Sequence, residues 1–170
     1  EGMCSIALDL GPEIMPDQVF AMAEERFTRA IEAATQAGDD EIRNLALVGR
    51  ARARLNMGSG TEAAADAAQV PQGFSFEFAY SSQDASTENK LFALMQRELM
   101  ATVEPMYRNM TFQGQPDPRV QVEDLGLLGP GTLIEIWATP KYSSLDAPVP
   151  VATWEEAQLI MAEVALDNGQ

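Results

Sequence analysis

Apolar positions in this chain recur every three or four residues up to about residue 70, then at every second residue for a short stretch, and then lose their period. Phe20, Ala23, Phe27, Ala30, Ile31 and Ala34 form one stripe, the spacing of side chains that share a helix face. Pro16 and Asp17 stand where a helix N-terminus favours proline and acid, and Gly38 ends the run. A second helix is predicted from about Asp40 to Met57, with Ile42, Leu45, Ala46, Gly49 and Ala53 on one face. A third, shorter one spans about Thr61 to Gln69 and stops at Val70-Pro71. Small residues line both: Ala46, Gly49, Ala51 and Ala53 in the second helix, Ala63, Ala64, Ala65, Ala67 and Ala68 in the third. At this spacing helices approach closely and interlock ridge into groove. Such packing builds a tetratricopeptide-type helical hairpin, which serves as a binding surface. Residues 16–71 are therefore read as a helical hairpin unit.

From Phe74 the period shortens. Phe74, Phe76 and Phe78 alternate with Ser75, Glu77 and Ala79, which predicts a strand or an extended aromatic edge. Ser81 to Thr87 reads as a polar loop, and Leu91 to Val103 as a Met-rich helix. Gly114, Pro116, Pro118, Gly126, Gly129, Pro130 and Gly131 then punctuate an irregular region, with extended pieces at Val120–Val122 and Leu133–Ala138. Ala147-Pro148-Val149-Pro150-Val151 must be extended, because each proline fixes its own φ and restricts its predecessor. Residues 72–152 are thus a loop-rich part. A terminal helix over 153–168 opens with a capping box, Thr153-Trp154-Glu155-Glu156. Trp154, Ala157, Met161, Val164 and Ala165 line one side of it, and Leu159, Ala162 and Leu166 another. That is more apolar coverage than a surface helix needs, so this helix wants neighbours on two sides. The fold class is mainly α, with irregular regions and short strands.

With 46% apolar and 22% charged residues the composition is that of a globular domain, and a chain this long buries roughly 70% of its unfolded surface. Charge narrows the function. Twenty-six acids against eleven bases leave a net charge of −15, which repels phosphate backbones and anionic head groups, so nucleic acid is not an expected partner. The chain has no histidine, which removes the commonest general base, the Ser-His and Cys-His pairs and the usual zinc ligand. Cys4 is the sole cysteine, so no internal disulfide or CxxC site is possible. Glu1-Gly2-Met3 before it lacks the apolar residues of a lipid-anchor site, and Cys4 is read as a small buried side chain. No apolar run approaches the ~20 residues of a membrane span. No cofactor, no metal and no transmembrane segment of its own are expected.

Several segments in order resemble the SusD/RagB family of nutrient-binding outer-membrane proteins. They are Glu1-Gly2-Met3-Cys4, the hairpin ending Val70-Pro71-Gln72-Gly73-Phe74, Asp117-Pro118-Arg119-Val120, Lys141-Tyr142-Ser143-Ser144 with Ala147-Pro148-Val149-Pro150, and the run from Trp154 to Glu163. The resemblance covers nearly all of this chain but only an internal portion of the family pattern, so the chain is read as a single SusD-like domain, a fragment or a shortened relative. It implies a surface lid that captures glycans, peptides or related nutrients for a TonB-dependent transporter. It further implies tetratricopeptide-like helices packed against that transporter, a ligand site made by irregular insertions, and no catalytic chemistry. The implied place is the cell envelope, at the outer-membrane surface or in the periplasm, held through a partner or a lipid anchor outside this chain.

Candidate residues are few. Arg43, Arg50 and Arg54 share a face of the second helix; they are either a clamp for a partner's carboxylate or, the favoured reading, ion-paired with Glu25 and Glu32 on the facing helix. Trp137 and Tyr142 flank a Pro-Lys turn and could stack on sugar rings, though most aromatics are core; Tyr80 and Tyr107 are weaker candidates of the same kind. Glu156 and Glu163 lie seven apart on one helix, about 10 Å along its axis, which does not make the cleft a glycosidase needs. Asp117, Glu123 and Asp124 could contribute to a calcium site, but without a DxDxDG loop solvated charge is the default. The leading reading is a non-catalytic capture protein. The alternative is an extrinsic structural subunit bracing a larger membrane complex of photosynthetic, respiratory or secretion type.

Overall fold

A computed structural model describes residues 6–7, 13–131 and 133–169; Cys4 and the Glu1–Cys4 motif lie outside them. In chain order the elements are β1 (Ile6–Ala7), β2 (Glu13–Ile14), α1 (Pro16–Ala37), α2 (Asp40–Asn56), α3 (Gly60–Ala67) and β3 (Ser75–Phe78). Next come α4 (Lys90–Phe92), which runs into a π-helical turn (Ala93–Arg97), and a 3-10 turn (Pro105–Tyr107). Strands β4 (Thr111–Phe112), β5 (Gln115–Pro116), β6 (Glu123–Leu128), β7 (Glu135–Ala138) and β8 (Val149–Thr153) precede α5 (Trp154–Asp167). Five helices dominate, the strands are short, and no clear repeat of a helix pair is present among the described residues. The chain divides into two compact units, Glu1–Glu77 with Pro150–Gln170, and Phe78–Val149. Each is described by itself.

In the helical unit the predicted punctuation holds. Proline opens α1, and Gly38 closes it in the left-handed conformation at φ 70°, which glycine adopts without strain. Asp39 Oδ1 then accepts the backbone N–H of Ile42 at 3.0 Å and caps α2. The two-residue link returns α2 alongside α1, and the contact is tight at one point: a Cβ built on Gly49 would sit 2.4 Å from Cζ of Phe27. The other side of α2 supplies Leu47, Val48 and Ala51 to the core, with Ala63 and Ala67 of α3, Val70, Ala152, and Ala157 and Ile160 of α5. Helix α2 is therefore sandwiched, and its small residues are what permit this.

The irregular part was expected to run to 152, yet the unit boundary falls at 149–150. Strand β8 pairs with β3, and Trp154 N–H donates to the Phe74 carbonyl at 2.8 Å. The extended Pro-Val-Pro run is thereby attached to the helices. In α5 half of the expected capping box forms: Thr153 Oγ1 accepts from Glu156 N–H at 3.2 Å. The Glu156 carboxylate turns instead to the Arg52 guanidinium. Ala157, Ile160 and Val164 are buried, while Leu159 and Leu166 are 69% and 73% exposed.

The second unit is built differently. The helix expected over 91–103 stops early, because Leu99 reverses the chain at φ 55° and Met100 N–H bonds back to the Leu94 carbonyl at 2.8 Å. The freed segment runs beside β7, with Val103 N–H on the Trp137 carbonyl at 2.8 Å. The extended piece expected at 133–138 forms as β7, whereas the one expected at 120–122 is displaced to β6, and the two strands make an antiparallel pair with an irregularity between Asp124 and Leu128. A further hairpin, β4–β5, turns through Gln113 and Gly114 at φ 52° and 78°, the positive pair of a type I′ turn. Fully buried Asn89 anchors the far end of the unit. Its Oδ1 caps α4 by accepting from Leu91 and Phe92 N–H, and its Nδ2 donates to the Ala147 carbonyl at 2.8 Å.

No helix among the described residues is long and apolar enough to cross a membrane. The close crossing at Gly49 yields a prediction. Leucine there must displace the Phe27 ring and is expected to cost about 3 kcal/mol, an overpacking penalty. Alanine is expected to cost about 1 kcal/mol or less, since the ring can tip into the shallow groove it shares with Phe20 and Ala53 and alanine favours the helix. Urea unfolding of both variants, each with and without Phe27→Ala, measures the coupling.

Candidate functional site

In the second unit, the segment from Pro116 to Glu123 and the turn at Thr139–Lys141 face each other across two adjoining recesses of about 450 and 380 Å³. Pro118, Gln121 and Pro140 border both recesses, and the pair of recesses is termed the groove of this unit. Prolines 116, 118 and 140 line it, and their fixed φ angles make those walls stiff. Its polar groups are varied: the amides of Asn109 and Gln121, the Thr139 hydroxyl, Asp117 and Glu123, and Arg119 and Lys141. The two acids and two bases cancel, leaving a groove without net charge inside a strongly acidic chain.

One turn holds the groove in shape. Asp117 N–H donates to the Met110 carbonyl at 2.8 Å, and the Asp117 carboxylate is almost wholly buried. Its Oδ1 accepts from Arg119 N–H at 3.0 Å and Nε at 2.9 Å, and its Oδ2 from Nη2 at 2.7 Å. The guanidinium in turn lies 5.0 Å from the centre of the Phe112 ring. These side-chain and backbone hydrogen bonds from Arg119 pull the Asp117 carboxyl down to about 2. Asp117 is thus spent within its own turn, and Asp124 Oδ1 accepts Gly126 N–H at 2.9 Å. Among the described residues no group of three or more potential ligands is placed to hold a metal ion.

The aromatic candidates fare unequally. Tyr142 is 9% exposed, so it offers no open face for a sugar ring; the expectation of stacking there is corrected by its burial in the small core of this unit. Trp137 is half-buried, with the Arg108 guanidinium 5.1 Å over its ring and its Nε1 buried without a partner. Neither lines the groove. Its lining residues Gln121 and Thr139 escaped the sequence reading, and Lys141 entered it only as part of a turn and a motif, because amides and single cations in a loop carry no periodic signal.

The arginine stripe lies in the helical unit and is an internal device. Arg50 grips Asp66 of α3 through Nε at 2.8 Å and Nη2 at 2.7 Å, and reaches Thr28 of α1. Arg54 bridges Glu24 at 2.8 Å and Asp66 at 2.9 Å. Arg43 only approaches Gln69, at 3.4 Å. The pairing was expected with Glu25 and Glu32; Glu32 acts on Arg50 through its charge without closing an ion pair, and for Glu25 the correction is geometric. Glu24 lies on the same α1 stripe as Phe27, Thr28 and Ile31 that faces α2, whereas Glu25 is turned outward and pairs with Arg29. With side-chain exposures of 14% and 18%, Arg50 and Arg54 have no fork left to offer a partner.

Compared with family models, with curated proteins and with solved structures, the chain gives no match in any of the three.

Two predictions follow from these charges. Asp66→Ala leaves two buried guanidinium groups short of a partner and is expected to cost about 3–5 kcal/mol in urea unfolding. For Asp117 the folded pKa lies below the ordinary carboxyl value, so its contribution is complete above about pH 4 and is lost as pH falls towards 2. Carbon-detected NMR of the side-chain carboxyl is expected to show a midpoint near 2, moving part of the way up towards the ordinary carboxyl value in Arg119→Gln, which removes the guanidinium bonds and keeps the backbone N–H of residue 119 on Oδ1.

Proposed function

We propose that this chain is a SusD-like binding protein without catalytic activity, which captures a glycan or peptide for a TonB-dependent outer-membrane transporter. One observation carries the reading. Asp117-Pro118-Arg119-Val120 and Lys141-Tyr142-Ser143-Ser144, two of the segments on which the family resemblance rests, are 21 or more positions apart in sequence, yet Pro118, Arg119 and Lys141 line one recess. Amides, a hydroxyl and balanced charges between stiff proline ledges suit a neutral ligand with many hydrogen-bonding groups. The displaced carboxyl, Asp117, is moved away from neutrality, opposite to what a general acid needs. In this reading α1–α2 and α3 with α5 act as tetratricopeptide-like hairpins that present the partner-facing surface at the cell envelope.

The second reading, an extrinsic subunit bracing a membrane complex, draws on the exposed Leu159 and Leu166 of α5. Titration calorimetry against oligosaccharide and peptide panels separates the two. Capture is expected to show a saturable ligand whose affinity falls at least tenfold in Gln121→Ala/Lys141→Ala, with the melting temperature unchanged. Absence of any ligand, with stoichiometric retention by an integral membrane complex, supports bracing and overturns capture.

A further inference from the structure

The charges of the groove balance in sum but are sorted in space. Asp117 and Glu123 border only the larger recess, whereas the smaller one, of about 380 Å³, is lined by Pro118, Arg119, Gln121, Thr139, Pro140 and Lys141. That lining holds two cations and no acid, and each cation directly follows a proline of the same wall, whose fixed φ makes its base stiff. The donors are uncommitted. Arg119 spends Nε and Nη2 on Asp117 but keeps Nη1, on a side chain 70% exposed, unlike the enclosed guanidinium groups of Arg50 and Arg54. Among the described residues the Lys141 ammonium meets only the Tyr142 ring, whereas the chain's other lysine, Lys90, pairs with Glu88 at 3.5 Å. Thr139 Oγ1 accepts the Lys141 backbone N–H at 3.2 Å, which leaves the hydroxyl hydrogen to donate.

Resting on the capture reading, the geometry points to the smaller recess as the subsite for a ligand's carboxylate, carried either by a terminal uronic acid of a glycan or by the C-terminus of a peptide. A guanidinium edge and an ammonium lining one recess suit the paired oxygens of that group. Charge selects among anions. Buried Asp117 cancels the Arg119 guanidinium, so the recess keeps one uncompensated positive charge, that of Lys141. A carboxylate matches it. A phosphate monoester brings roughly two negative charges to a chain of net charge −15, with Glu123 in the adjoining recess, and is repelled. The same Glu123 turns the anionic end away from the larger recess. The ligand's neutral body therefore lies there, along the amides of Asn109 and Gln121, and its direction in the groove is fixed.

Titration calorimetry of the full chain with two matched pairs of probes tests this: cellobiouronic acid against cellobiose, and tetra-alanine against its C-terminal amide. One acid is expected to bind roughly tenfold more tightly than its neutral twin, and which acid does so identifies the source of the carboxylate. Lys141→Met is expected to abolish that difference, changing the affinity of the neutral twin far less and leaving the melting temperature unchanged, while Lys141→Arg retains it. Added sodium chloride is expected to weaken the acid and not its twin, because an exposed ion pair is screened. Equal affinity of acid and twin overturns the inference and leaves capture standing. So does inorganic phosphate that displaces the bound acid more effectively than acetate does. If neither acid binds, the carboxylate subsite is overturned while capture stands on any other oligosaccharide or peptide that binds; capture falls with it only when those panels are silent as well.

Discussion

Helix α2 carries four arginines, at 43, 50, 52 and 54, and is nonetheless the central element of its unit. Placing guanidinium groups in a packed interior costs several kcal/mol each unless carboxylates meet them there. The helical unit is arranged around that demand. Arg50 and Arg54, one turn apart, share Asp66 from α3 and reach Thr28 and Glu24 on α1. Arg52, on the opposite side of the helix, takes Glu156 of α5 and the Val151 carbonyl. The neighbours of α2 thus divide its arginines: α1 and α3 together hold Arg50 and Arg54, and α5 holds Arg52. A buried ion pair is weak evidence for stability, but here the pattern of charges also tells the neighbouring helices apart. An alanine-rich surface packs almost anything; the arginines decide what packs where.

That arrangement separates what the chain's pattern reveals from what it conceals. Helices α1, α2 and α5 were legible because their signals are local: proline at the start, glycine in the left-handed conformation at the end, a threonine cap, and apolar residues at helical spacing. The Gly49 crossing was legible as well, since a glycine amid alanines in a helix has no other local reason to be there. The partners of the arginines were not legible. Asp66 sits in a run of alanines where nothing marks it as buried, and choosing Glu24 over Glu25 requires knowing how α1 is rotated about its own axis. Loop elements were missed for a related reason. Gln113-Gly114 lacks the Asn-Gly or Asp-Gly signature of its turn type, and the reversal at Leu99 is imposed by long-range pairing to β7 against what leucine prefers.

In the second unit, polar side chains do much of the work that sheets and helices do elsewhere. Its buried apolar residues are few: Ala93, Ile136, Ala138 and Tyr142. Against so small a core, the backbone is held by Asn89 on Ala147, by Thr102 on Trp137, and by Arg108 on Val103. Arg97 forks onto buried Glu88 at 2.7 and 2.8 Å and holds its carboxyl below the usual range. Loops fixed in this way tolerate substitution between their anchor points better than packed strands do. A scaffold of pinned loops is what a groove with an adaptable lining requires.

The same physics explains why so little of the chain's patterning reports a ligand. Asp117 and Arg119 close on each other, Thr153 caps a helix, Glu156 is bound to Arg52, and Tyr142 is core. These residues owe their character to tasks inside the fold, tasks that any molecule with these turns and helix ends would set. Gln121 lines the groove, and Lys141, also in its wall, sets its ammonium 5.6 Å from the centre of the Tyr142 ring, a contact worth only about 0.5–1 kcal/mol at an exposed site. Residues bound to the fold's own backbone report architecture, and residues free to meet a ligand report function. In this chain the first kind is written in recognisable order, and the second is read only from where the folded loops place it.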